Sequence, residues 1–108
     1  MNALPLEKQL TVLFRLEPGC LGPQGIDFIE EFCSFINKQP PQLHYARFNF
    51  VARYDKKLPE WEYSINKRNL NDEKVAMYLN LFQTNKSAFE EEIEELLAQR
   101  IEVFFARS

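Results

Sequence analysis

The hydrophobic period of this chain runs from two to about 3.6, returns to two and ends at about 3.6, which rules out an all-helical or an all-strand fold. Leu10, Val12, Phe14 and Leu16 alternate with Gln9, Thr11, Arg15 and Glu17, with Leu13 as the one apolar residue out of phase. This alternation predicts a first strand over 8–17 with one face turned inward. The following PGCLGPQG holds all three glycines and two of the six prolines, so regular structure must stop there. Ile26, Ile29, Phe32, Cys33 and Ile36 then recur at helical spacing, with Phe28 and Phe35 widening the stripe. Glu30 and Glu31 near its start and Lys38 near its end complement the helix dipole, and Pro40 and Pro41 end the helix.

From Leu43 the period is two again. Ala46, Phe48, Phe50, Ala52 and Tyr54 form the predicted core face of a second strand, and Tyr45, Arg47, Asn49, Val51 and Arg53 its outer face. Trp61, Tyr63 and Ile65 mark a third strand, expected to close a hairpin with the second and to lie between the first two. Asn71 is placed as an N-cap for a helix carrying Val75, Tyr78, Leu79 and Phe82. Ser87 and Glu90 have capping-box spacing ahead of a last helix whose stripe is Phe89, Ile93, Leu96, Leu97, Ile101, Phe104 and Phe105. One continuous helix over 72–106 is the alternative.

The order β-α-β-β-α-α predicts an α+β fold, a two-layer sandwich in which a three-stranded mixed sheet carries its helices on one face. With 108 residues, 45% apolar and 27% charged, the chain has the size and composition of one globular domain spanning 1–108.

Charge excludes a dedicated DNA binder, since the net value is −3. It is unevenly spread: residues 43–71 carry six basic and three acidic side chains, and residues 72–108 four basic and eight acidic. No apolar run reaches the roughly 18 residues that span a bilayer, so no membrane segment is expected. The N-terminal stretch lacks the order of a secretory signal, because Glu7 and Lys8 precede its apolar part and Arg15 interrupts it. Two cysteines without such a signal suggest free thiols and a cytoplasmic address.

One histidine and two cysteines thirteen residues apart do not make the paired ligands of a zinc site, and no nucleotide fingerprint is present, so neither metal nor cofactor is expected. The loop containing Gly19, Cys20, Gly22 and Gly25 is the sharpest chemical candidate. A thiol just before a helix start feels the positive end of the dipole, and free amides there suit an anion. His44 would be its only base, yet a parallel pairing of the first two strands puts the two residues at opposite ends of the sheet. The segment 45–69 interleaves aromatic and basic side chains as single-stranded nucleic-acid surfaces do, but strand parity turns most of its rings into the core, so nucleic acid is not the expected partner. What remains is an outer sheet face with Arg15, Tyr45, Arg47, Val51 and Arg53, residue types that interfaces favour. The sequence therefore reads as a non-catalytic binding protein that docks a protein partner, or its own copy as a homodimer, through that face or a sheet edge.

Overall fold

In the computed structural model, which describes residues 4–107, the elements in chain order are β1 (Leu10–Leu16), α1 (Ile29–Lys38), β2 (Ala46–Ala52), β3 (Trp61–Ile65), β4 (Arg68–Asn69), α2 (Asp72–Asn80) and α3 (Lys86–Ala106). The fold is α+β, with three helices and a mixed sheet of four strands ordered β2-β1-β3-β4. β1 pairs parallel with β2 and antiparallel with β3.

Two expectations need correction here. The third strand does not form a hairpin with the second or lie between the first two; β1 lies between β2 and β3. The cause is apolar content. Leu10, Val12, Phe14 and Leu16 are all 5% exposed or less, and an interior strand under the helices buries its inner face more fully than an edge strand does. Each such side chain contributes about 1.5–3 kcal/mol on burial. The second correction is the extra strand. Asn66 and Lys67 have φ of 51° and 69° and form a two-residue turn between Ile65 and Arg68, which pair across it. Both central residues of such a tight hairpin turn take positive φ, a conformation normally signalled by Asn-Gly.

Helices cover the inner face. Phe89 of α3 stacks on Phe48 at 5.9 Å and meets Tyr63 at 6.4 Å, while Phe104 near its other end meets Phe32 and Phe35 of α1 at 5.3 and 5.5 Å. α2 is tied to the other end of the sheet: the Tyr78 hydroxyl lies 2.9 Å from the carbonyl oxygens of both Lys8 and Tyr45 and donates to one at a time. Asn71 caps α2 as the sequence predicts, accepting from the Lys74 amide at 2.8 Å. The cap of α3 is Asn85, which accepts from Ala88, and not Ser87; the helical stretch is broken between Asn80 and Lys86 rather than continuous.

α1 begins three residues later than its apolar stripe suggests. Ile26 lies in a 3-10 turn and is 59% exposed, because the chain leaves β1 through two 3-10 turns, Pro18–Leu21 and Gly25–Asp27, before the first α-helical residue. Gly25 is fixed by close packing in this passage: a Cβ there would stand 1.7 Å from the Pro18 carbonyl oxygen.

The longer edge strand of the sheet is β2. It bonds β1 through its odd-numbered residues, as at the carbonyl of Tyr45 and the amide of Arg53, so the polar backbone groups of Ala46, Phe48, Phe50 and Ala52 point the other way. The Asn37 side chain fills the middle of that edge. Its amide donates to the Phe50 carbonyl and its oxygen accepts from the Phe50 amide, both at 2.8 Å. Leu43 bridges to Ala46 beside it.

Candidate functional site

The predicted outer face is real for four of its five residues. Arg15, Arg47 and Val51 lie on the surface opposite the helices, and Arg53 follows them just beyond β2. Tyr45 does not. β2 begins at Ala46, the preceding residues form a turn, and the Tyr45 ring is buried against Phe82, stacked at 4.1 Å and 7°. Extending the alternation one residue beyond the strand placed it on the wrong side. Tyr54 fails likewise at the other end, where it is exposed and donates to Glu30 at 2.6 Å.

The arginines on that face are already engaged. Arg15 is in an ion pair with Glu62 and donates to the Pro59 carbonyl at 2.7 Å, and its side chain is 12% exposed. Arg53 pairs with Glu17 at 2.5 Å and donates to the Leu58 and Lys56 carbonyls at 3.0 and 3.2 Å. These two clamps hold the 55–60 loop against the ends of β1 and β2. Among the described residues Arg47 has only a 3.4 Å contact to the Thr11 hydroxyl and is exposed. Leu13 and Val51 are half-buried beside them. A face that promises three cations to a partner in the sequence therefore offers one, set beside two apolar side chains.

The glycine-rich loop is equally changed by its geometry. The amides of Cys20, Gly22 and Gly25 donate to the carbonyls of Glu17, Gly19 and Gly22 at 3.0, 3.1 and 3.0 Å, so their bonds close the turns of the loop itself. α1 starts nine residues after Cys20, too far for its dipole to act on the thiol. Gly22 has φ of 99°, a left-handed position that suits glycine, whereas a Cβ at Gly19 would meet nothing within 4 Å. His44 packs against Tyr45 and Phe82 beside the start of β2, whereas Cys20 lies past the end of β1, so the parallel pairing keeps them apart as expected.

What the loop does form is one wall of a cleft. Cys20 lines an apolar cavity of about 220 Å³ between the end of β1 and α3, together with Phe14, Leu16, Phe32, Leu97 and Ile101. Glu17, Glu60 and Glu94 also line it. Partial burial, reinforced by the carboxylates of Glu17 and Glu60, holds the Cys20 thiol above its ordinary value, so the thiolate is disfavoured at neutral pH. Cys33 is buried in the core, and burial followed by the Glu30 carboxylate pushes its thiol up to about 12. Among the described residues no group of three potential metal ligands converges, and no helix is long and apolar enough to cross a membrane.

Sequence reasoning missed this cleft because its walls come from segments up to 87 positions apart, Phe14 and Ile101 being the extremes. It also missed the contact in which the buried Tyr63 hydroxyl donates to Glu90 at 2.5 Å, with Lys86 3.3 Å from the same carboxylate. The period of α3 does place Glu90 near Phe89, but nothing local says that a tyrosine lies opposite. No protein-family model, no curated protein and no solved structure matches this chain.

Proposed function

We propose that the protein is a non-catalytic binding domain that docks a protein partner, in the first instance a second copy of itself, through the sheet face opposite its helices. The observation that carries this reading is the internal pairing of Arg15 and Arg53 on that face. Covering a free guanidinium requires stripping its water, whereas a cation already bonded to a carboxylate and to backbone carbonyls loses much less on burial. Leu13 and Val51 then supply the apolar centre and Arg47 a free cation at its side.

The face is favoured over the edge of the sheet. Asn37 and Leu43 occupy polar groups of β2 that an added strand would need, so strand addition there must first displace them. Two unpaired thiols suit a reducing compartment, and the cytoplasm fits the reading.

The test is sedimentation of the wild type and of Leu13→Glu/Val51→Glu across a concentration series. The wild type should shift toward twice 12.8 kDa as concentration rises, and the variant should stay at the monomer mass with an unchanged circular dichroism spectrum. A wild type that stays monomeric into the high-micromolar range overturns the homodimer. A dimer that survives the double substitution overturns the face. Tyr45→Ala is unsuited to this test, since it removes a core ring rather than a contact residue.

A further inference from the structure

The cleft beside Cys20 combines two properties that do not serve the packing of the core. Its interior is apolar and of a size that holds a ligand: an enclosed apolar cavity of about 150 Å³ takes up benzene, and this cleft, open to solvent on one side, offers about 220 Å³. The added space accommodates a short arm on such a ring. Its mouth is acidic. Glu60 and Glu94 are exposed, so they lie where the cleft meets solvent, and neither belongs to an ion pair among the described residues. Glu17 is answered by Arg53, which leaves an excess of two negative charges around the opening.

We propose that this cleft binds a small primary ammonium ion carrying one apolar ring, with the ring against Phe14, Leu97 and Ile101 and the ammonium facing Glu60 and Glu94. Anionic ligands are repelled by the same carboxylates, and neutral ones gain the apolar contact without the charge. The site is independent of the sheet face, because the cleft opens on the helical side of the sheet. Cys20 at its wall is a built-in reporter: it is exposed, and Cys33 is buried and protected from alkylation.

The experiment titrates the full chain with phenethylammonium chloride, 2-phenylethanol and phenylacetate at equal ionic strength. It follows the backbone amide shifts of Cys20, Leu97 and Ile101 and the rate at which iodoacetamide alkylates Cys20. The amine should move those shifts and slow alkylation, binding about threefold to tenfold more tightly than the alcohol, as two exposed ion pairs allow. Phenylacetate should be weakest. In Glu60→Gln/Glu94→Gln the amine should lose its advantage while the alcohol binds as before. Ala98→Phe, which fills the cleft from the exposed side of α3, should abolish binding of both. Equal affinity for amine and alcohol, an advantage that survives the double glutamine variant, or no shift at these residues at millimolar ligand overturns the proposal. The glutamine variant changes only exposed side chains and decides the matter even if Ala98→Phe does not fold.

Discussion

Asn37→Ala isolates the contribution of the capped sheet edge. The substitution removes both hydrogen bonds to Phe50 and leaves the polar groups of that residue facing outward from β2. A net value of about 0.5–1.5 kcal/mol for each bond brackets the loss between about 1 and 3 kcal/mol. Asn37 is itself exposed, so water can replace part of what is removed, and the lower half of that bracket applies, about 1–2 kcal/mol. For a chain of this size about 1 kcal/mol corresponds to a fall in Tm of roughly 4 °C, so the melt followed by circular dichroism should drop by about 4–8 °C. A second effect separates this residue from any other surface asparagine. With its middle uncovered, β2 presents successive free backbone groups, and the variant should associate through that edge as concentration rises. Asn37→Asp keeps the acceptor for the Phe50 amide but sets a carboxylate against the Phe50 carbonyl, so it should be less stable than wild type and recover as pH falls through the carboxylate range. A Tm unchanged within a degree and sedimentation independent of concentration would refute the argument, since the edge would then be guarded by solvent and sheet twist alone.

Two further predictions concern the turn and the core. Lys67→Gly should raise stability by about 0.5–1 kcal/mol, because lysine at φ of 69° carries a steric penalty that glycine avoids, offset by the greater freedom of glycine in the unfolded chain; a lower urea midpoint at unchanged slope would count against the turn geometry. Stability should also decline in alkali. On a Cys20→Ser background the unfolded chain releases the Cys33 proton above about pH 8.5, whereas burial and then Glu30 keep the folded thiol protonated up to about 12. The stabilisation is therefore complete below about 8.5 and declines by about 1.4 kcal/mol per pH unit toward 12. Tyr63, raised by burial and then by its hydrogen bond to Glu90, adds a second decline above about pH 10. Urea titrations at several pH values should lose the first decline in Cys33→Ala; a profile unaltered by that substitution would show that the thiol titrates alike in both states.

The parts of this fold legible in the sequence are those governed by neighbours a few residues away. The inner face of β1, the stripe Ile29, Phe32, Cys33 and Ile36, and the Asn71 cap all follow from local period or local hydrogen bonding. The misplaced features depend on distant partners or on the ends of elements. The central place of β1 was marked in part by Leu13, an apolar residue on its outer side, but the antiparallel pairing of Val12 with Tyr63 is a match across fifty-one positions. Tyr45 was lost because period two holds only while the chain is extended, and a turn ends it one residue away. β4 was hidden because Lys67 adopts a backbone conformation that its side chain does not advertise. The irregularity of the loop around Cys20 is legible in its glycines and prolines, yet the bonding of its amides and its distance from α1 depend on two 3-10 turns that composition does not specify. Glu60 and Glu94 carried no signal, since exposed carboxylates are common on ordinary surfaces.

The central position of β1 also sets a timetable for synthesis. The strand emerges from the ribosome first among the sheet elements, and one of its neighbours is complete only once Ile65 has been added. The other, β2, arrives earlier and in parallel, with α1 as the connection, so a β1-α1-β2 unit is the first assembly available to the nascent chain. Throughout that interval the far side of β1 lacks β3, and Phe14 lacks the stacked ring of Trp61. A strand this apolar with one side unpaired is a target for chaperones and for other unfinished copies. Slowing translation between Ala52 and Trp61 should lengthen that exposure, whereas a delay after α3 has left the exit tunnel should have no such effect.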